Sequence, residues 1–237
     1  MKEIVKATSI TKSYQGKKVV DNLSFTVNRG EVFGLLGPNG AGKSTTIECL
    51  LGIRPVDSGQ GTVFGVEPRQ HRKKVFQKIG VQLQSSNYQD MIRVEELCQE
   101  MTALYQQPKD YHELLKLFGL QDFSRQKVAD LSGGQRQKLS ILLALIPNPE
   151  VIFLDELTTG LDTEARREVW KTLLSLKEQG LTIILTTHYM EEAELLCDHL
   201  LMIKNGRPVI SGTVADILQQ AGCNHLEEAY LYFMGGN

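Results

Sequence analysis

Residues 32–50 read VFGLLGPNGAGKSTTIECL, and the fold turns on how that stretch is parsed. Val32–Leu36 is a short, strand-like apolar run that ends in a glycine-rich loop. Gly37 to Ser44 then spells G-x-x-x-x-G-K-S, and a helix is expected from about Lys43. Glycines let backbone N–H groups turn inward around phosphate oxygens, and the helix that starts there adds its positive dipole end. Lys43 supplies a mobile point charge for the β- and γ-phosphates, and Ser44 offers a hydroxyl to Mg²⁺. The candidate nucleotide cradle is therefore Gly37, Pro38, Asn39, Gly40, Ala41, Gly42, Lys43, Ser44 and Thr45.

Further apolar runs follow along the chain. Val151–Leu154 (VIFL) is apolar enough to be buried on both faces, and Leu181–Leu185 (LTIIL) leads to Thr186, Thr187 and His188. Apolar strands separated by helical patterns argue for a mainly parallel α/β sheet. The VIFL strand is expected to neighbour the strand that carries the phosphate loop. That placement sets Asp155 beside the metal held by Ser44, and Glu156, one step on, polarises the attacking water as a general base. An acidic pair after a strand is otherwise an ordinary helix cap or solvated turn. His188 stands at a strand C-terminus, where open α/β sheets place their ligands. Its expected task is to orient that water and contact the γ-phosphate.

The stretch Leu131–Gln135 reads LSGGQ, ahead of the helical RQKLSILLAL. Ser132 and Gln135 make an S-x-x-Q capping box. The box leaves Gly133 and Gly134 unexplained, because adjacent glycines weaken a first helical turn unless something must approach the backbone closely.

The two ends differ in character. Ile4 to Asn28 alternates apolar and polar residues, with turn signals at Gln15-Gly16 and near Asn22, which suggests antiparallel strands joined by Gly61–Val66. Leu200–Ile203, Asn205-Gly206 and Pro208–Ile210 read as a hairpin on an Asn-Gly turn. From about Met91 to Ile146 the pattern is helical. The expected organisation is one domain over 1–237. An antiparallel β part covers 1–30 and 59–66, a phosphate-loop core 31–58 and 148–210, an inserted helical part 85–147, and a helical tail 211–237.

The chain has 237 residues, 41% hydrophobic, with 26 basic and 28 acidic residues and a net charge of −2. It is long enough for one sizeable core, and its charge gives no global reason to bind nucleic acid. Cys49, Cys98, Cys197 and Cys223 are scattered without C-x-x-C spacing, so reduced thiols are the expectation. The N-terminal MKEIVKATSITKSY lacks the apolar segment of a secretory signal. Apolar runs such as Ile141–Ile146 fall short of the roughly 20 residues that span a bilayer. The basic run Arg69, Arg72, Lys73, Lys74 and Lys78 reads first as a solvated face, with anionic headgroups or an acidic partner loop as the sharper reading.

With the phosphate loop, LSGGQ and VIFLDE in place, nearly the whole chain resembles the nucleotide-binding domain of ATP-binding cassette (ABC) transporters. The resemblance implies a RecA-like P-loop fold and assigns further residues one by one. Ser132, Gly133, Gly134 and Gln135 lie in the signature motif, which contacts ATP. Tyr14 matches the aromatic that stacks on adenine. Gln84 resembles the Q-loop glutamine that senses Mg²⁺ and water, with Gln82 a nearby competitor. Gly160-Leu161-Asp162 resembles the D-loop, with Asp162 at the nucleotide, and His188 resembles the switch histidine. Lys43, Gln84, Glu156 and His188 are the implied catalytic set, and Ser44, Gln84 and Asp155 the implied metal set. Leu157 stands where the family usually has proline after the acidic pair, and Leu83 where proline often precedes the Q-loop glutamine. Proline stiffens a turn, so its loss is expected to loosen Glu156 without removing its carboxylate.

The family also implies partners. Two cassettes pack head to tail around two MgATP, each LSGGQ capping the ATP held by the other copy, and a homodimer is expected. The pair drives a separate transmembrane permease, through which alone the chain meets the membrane, and no nucleic acid is involved. The segments THYMEEAELLCDH and LEEAYLYFMGGN and the short C-terminus resemble drug- and lipid-type exporters. The implied location is cytoplasmic, peripheral on the inner face of the cell membrane. The alternative is a soluble cassette ATPase without transport, for example in cluster assembly.

Overall fold

β1 (Glu3–Tyr14) and β2 (Lys17–Asn28) form an antiparallel hairpin. It closes on Gln15 (φ 50°) and Gly16 (φ 79°), the successive left-handed residues that match the twist of the flanking strands. β4 (Ser58–Val63) pairs with the other edge of β1, giving the order β2-β1-β4. Val5, Ala7, Ile10, Val20, Leu23 and Val27 are the buried face of the hairpin. Asn22 (φ 56°) is not a turn between strands. It lies inside β2, where the pairs Ile10↔Leu23 and Lys12↔Val20 leave one extra residue on that strand. This is a bulge, and its left-handed residue is an asparagine, which tolerates that backbone. The Asn22 N–H donates to Thr11 Oγ1 at 3.1 Å.

The structure, a computed structural model, describes residues 2–83, 88–89 and 91–235. The chain divides into two compact units, one running to Val75 and resuming at Thr182, the other Phe76–Leu181. The first unit holds the hairpin just described and a mixed sheet. β3 (Val32–Leu36) is buried throughout. It runs parallel to β7 (Thr182–Thr187) on one edge and to β8 (His199–Lys204) on the other. β9 (Arg207–Thr213) then pairs antiparallel with β8 across Asn205 (φ 51°) and Gly206 (φ 78°). Both edges of β3 are thus taken, and the strand at Val151 is not its neighbour. The expectation failed because the run at Val151 and that of β7 are both apolar, and strand order follows from crossovers that apolar content does not encode. The helices of this unit are α1 (Lys43–Leu50), α2 (Arg72–Phe76), α7 (Met190–Leu196), α8 (Val214–Ala221) and α9 (Leu226–Met234).

In the second unit β5 (Ile79–Gln82) and β6 (Val151–Asp155) pair in parallel, Gln82 opposite Leu154. Its helices are α3 (Val94–Ala103), α4 (Tyr111–Leu117), α5 (Gly133–Leu145) and α6 (Thr163–Glu178). The described residues from Val94 to Leu145 carry helices and turns and no strand. Leu139 and Ile141–Leu145 of α5 are buried, as is the α6 stripe Val169, Trp170, Leu173 and Leu176, whose 3–4 residue spacing makes one apolar face. Among the described residues no helix is long and apolar enough to cross a membrane. The four cysteines are free thiols.

Candidate active site

The first unit builds the phosphate cradle. β3 ends at Leu36 and the chain turns through Gly37–Gly42 into α1. Gly42 is the residue before the helix at φ 103°, and a Cβ there would lie 2.4 Å from the Val19 carbonyl oxygen. Only glycine fits that position. α1 begins without a side-chain cap, so no capping side chain claims its first-turn N–H groups. Lys43 is 4% exposed. Its Nζ donates to the Gly37 oxygen at 2.8 Å and the Pro38 oxygen at 3.2 Å, which folds the ammonium back over the loop that it serves. Pro38, Asn39 and Gly40 are exposed, Ala41 is buried, and Ser44 and Thr45 are half-buried at the helix mouth. The Ala41 carbonyl accepts from Gly206 N–H at 3.0 Å, which ties the loop to the β8–β9 turn.

His188 follows β7 as Gly37 follows β3, and the register pairs Leu36 with Thr187. The phosphate loop and His188 therefore leave adjacent strands at the same level of the sheet. The His188 Nδ1 is buried and has no hydrogen-bond partner among the described residues, while its ring tilts against Tyr189 at 4.2 Å between centroids. A buried ring nitrogen without a partner is uncommon in a folded protein. An uncapped helix mouth and an orphaned imidazole at one sheet edge fit a phosphate ligand.

Tyr14 ends β1 and is 37% exposed. Lys12 Nζ stands 5.5 Å and Arg54 Cζ 5.9 Å from its ring centroid, inside cation–π range. Asp57 fixes this strand end. It accepts from Lys12 Nζ at 2.9 Å and from the Ser13 N–H at 2.6 Å, and the Lys12 bond first, then the Ser13 bond, hold its carboxyl below the usual carboxylate range.

The second unit carries the acidic pair and the glycine-rich helix mouth. Asp155 closes the fully buried β6 at 2% exposure. Glu156 takes φ 51°, a left-handed backbone that costs a non-glycine residue roughly 1–2 kcal/mol. The Leu157 side chain is fully buried, and Gln137 Nε2 of α5 donates to its carbonyl at 2.5 Å. The turn after Glu156 is thus tied down by burial and a hydrogen bond where a proline would have stiffened it. Gln137 carries no motif and is invisible in the sequence.

Gln82 is 3% exposed. Its Nε2 donates to the Leu83 oxygen at 3.0 Å and to the Asp155 oxygen at 3.3 Å, and its Oε1 has no partner among the described residues. That side chain braces the end of β6. Gln84 lies outside the described residues.

Ser132 caps α5 with the expected reciprocal bonds, Gln135 N–H to Ser132 Oγ at 3.2 Å and Ser132 N–H to Gln135 Oε1 at 2.9 Å. A Cβ on Gly133 would meet nothing within 4 Å, and one on Gly134 only Leu161 Cδ2 at 3.5 Å. The protein's own packing gives Gly133 no reason to be glycine. Asp162 caps α6, its Oδ1 accepting from Ala165 N–H at 2.8 Å. Among the described residues no cluster of three His, Cys, Asp or Glu forms a metal site by itself.

The family model described as "ABC transporter" matches residues 20–159. The chain belongs to the ABC transporter family. Nod factor export ATP-binding protein I of Sinorhizobium fredii (strain NBRC 101917 / NGR234) is 42% identical over 98% of this chain and 68% of its own length. The linearmycin resistance ATP-binding protein LnrL of Bacillus subtilis (strain 168) is 37% identical over 92% of this chain and 72% of its own. Among solved structures, an ATP-binding subunit of an ABC transporter superposes with a TM-score of 0.89 at 27% identity, covering 98% of this chain and 99% of that one. This ABC cassette is accordingly an ATPase on a P-loop fold, and the mixed sheet, antiparallel sheet and helices described above are its framework.

Proposed function

We propose that this ABC ATPase works as one of a pair of cassettes driving a separate membrane permease outward, as an exporter subunit. Two relatives, one named for Nod factor export and one for linearmycin resistance, support the direction. The observation that carries the pairing is Gly133: a helix mouth without Cβ atoms and without any neighbour of its own is shaped for something outside the chain. The proposed visitor is the γ-phosphate of ATP seated in the phosphate loop of a second copy, reached by the N–H groups of α5 and the hydroxyl of Ser132.

Within the pair the residues divide the work. The backbone of Gly37–Thr45 binds the triphosphate, and Lys43 exchanges the Gly37 and Pro38 carbonyls for β- and γ-phosphate oxygens. Tyr14 stacks on the adenine, a contact worth roughly 1–3 kcal/mol. Ser44, Asp155 and Gln84 would hold Mg²⁺, which when bound neutralises charge on the transferred phosphoryl group. Glu156 accepts the proton of the attacking water. His188, whose Nδ1 is unclaimed, orients that water at the γ-phosphate. Asp162 lies at the nucleotide of the closed pair. ATP drives closure only because it touches both copies in the closed state. The subdivision into an antiparallel part, an ATPase core, a helical part over 85–147 and a tail over 211–237 belongs to the same proposal, as does a seat on the inner face of the cell membrane.

The test is Glu156→Gln. It should keep ATP binding, slow hydrolysis by roughly 10²–10⁴, and run as a dimer on size exclusion with MgATP. A variant that turns over at the wild-type rate removes Glu156 from its role, and one that stays monomeric with ATP bound removes the pairing. Lys43→Ala should abolish binding in a nucleotide titration.

A further inference from the structure

The segment Arg69–Lys74, RQHRKK, has no task in the nucleotide chemistry, and we propose that it is a contact surface for the anionic headgroups of a bilayer. All six residues are exposed, and Val75, next in line, is buried. One apolar anchor holds α2, and its Lys73 and Lys74 are exposed. Several surface cations elsewhere are paired with acids: Lys6 with Glu3, Lys18 and Arg207 with Asp21, Lys78 with Glu150, and Lys138 with Glu168. Arg69, Lys73 and Lys74 make no ion pair among the described residues. The nearest acid in the sequence, Glu67, is occupied by neutral donors, since its oxygens accept from Gln60 Nε2 and Gln70 Nε2. A chain of net charge −2 has no compositional reason for such a concentration.

The surroundings extend the surface. A Cβ on Gly52 would lie 2.6 Å from the Arg69 nitrogen, so the Gly52–Arg54 turn abuts Arg69. Arg69, Glu67 and Arg54, which is paired with Glu48 at 2.8 Å, line one cleft of about 100 Å³, and Ile53 is 37% exposed beside Arg54. A lone aliphatic among cations suits the boundary between headgroups and acyl chains. Of the basic segment only Arg69 lines that cleft, and the three consecutive exposed cations Arg72, Lys73 and Lys74 offer charge without a shaped pocket, which favours a lipid surface over an acidic protein loop. Each Lys or Arg near an anionic leaflet is worth roughly fivefold in partitioning, and the attraction decays over about 8 Å at physiological salt. By itself this contact is marginal. Its biological place rests on the reading of the chain as a membrane transporter's subunit, where it adds to the hold of the permease; the binding itself does not need that reading.

The experiment is co-sedimentation of the full chain with phosphatidylcholine vesicles containing about one-third phosphatidylglycerol, against phosphatidylcholine alone. Wild type should bind the anionic vesicles and be released by salt. Lys73→Glu/Lys74→Glu should bind at least tenfold more weakly, with vesicle-free ATPase turnover unchanged. Lys116→Glu/Lys171→Glu, the same charge change on other exposed lysines, should still bind. Absence of wild-type binding, wild-type binding by the first variant, or equal loss in both variants overturns the proposal. So does a first variant that keeps its vesicles and loses only capture of the permease in detergent, which assigns the patch to a protein loop. Wild-type protein that binds the anionic vesicles and hydrolyses no ATP would count against the nucleotide reading and support this one.

Discussion

Gly42 stands at φ 103° with the Val19 carbonyl oxygen 2.4 Å from where a Cβ would sit, while around Gly133 nothing lies within 4 Å. The motif makes both residues glycine, and the structure separates the reasons. Gly42 answers to its own fold; Gly133 answers to a visitor. Gly42→Ala should therefore destabilise the protein by about 2 kcal/mol or more, from left-handed strain plus the clash, in a urea titration without nucleotide. Gly133→Ala should move the same titration by less than about 0.5 kcal/mol and yet weaken ATP-dependent dimerisation at least tenfold. Equal losses of stability would mean that both glycines are structural. Leu157 gives a second contrast at this scale. Its departure from proline leads one to expect a loose Glu156, but the side chain is buried and its carbonyl is held by Gln137. Gln137→Leu should leave that carbonyl without its donor, cost about 1–3 kcal/mol, and lower kcat while the Kd for ATP stays put. An unchanged kcat would show that the turn does not steer Glu156.

At the scale of elements, what was readable was local. The capping box at Ser132–Gln135, the Asn-Gly turn between β8 and β9, and the strand–loop–helix around Gly37 each rest on a few adjacent residues with one stereochemical reason. What was not readable depended on residues far apart. The flanking of β3 by β7 and β8 is set by crossovers, and Asn22, a turn residue by type, sits in a bulge because the pairing of β1 with β2 needs one extra residue there. Gln82 illustrates the same limit: as a sequence letter it competes with Gln84, and only its bond to the Asp155 oxygen shows it to be a brace. The α5 cap also separates two functions in one residue. Ser132→Ala should cost about 1 kcal/mol as a lost N-cap. Ser132→Arg should cost about the same in thermal unfolding of the monomer and additionally abolish ATP-trapped dimers in the Glu156→Gln background. If the arginine variant still dimerises, the helix mouth does not face the partner's nucleotide.

For the molecule as a whole, the family was legible because three short motifs occur in order along one chain, and each needs its neighbours in sequence only. The tertiary ties that hold the first unit together were not, because they join residues nearly the whole chain apart. Asp21 in β2 accepts from Lys18 Nζ at 2.7 Å and from Arg207 Nε of β9 at 2.7 Å, and its N–H donates to the Gly206 oxygen at 2.8 Å. Gly206 in turn supports Ala41 of the phosphate loop, so this carboxylate links the β8–β9 turn to the cradle. The Lys18 bond first, then the Arg207 bond, hold the Asp21 carboxyl below its ordinary value, as Lys12 and Ser13 do for Asp57. A carboxyl with its folded-state pKa depressed stabilises the fold above its unfolded value, near 3.9, and that contribution drains away as pH falls below it towards the folded value. Stability should accordingly be flat near neutrality and decline in acid from about pH 4 downward. Asp21→Asn should be less stable at pH 7 and show a shallower acid decline, since one of the linked protons is gone. Urea midpoints for the two proteins should converge as pH falls through that window; parallel curves would show that Asp21 does not couple the β8–β9 turn to the stability of the fold.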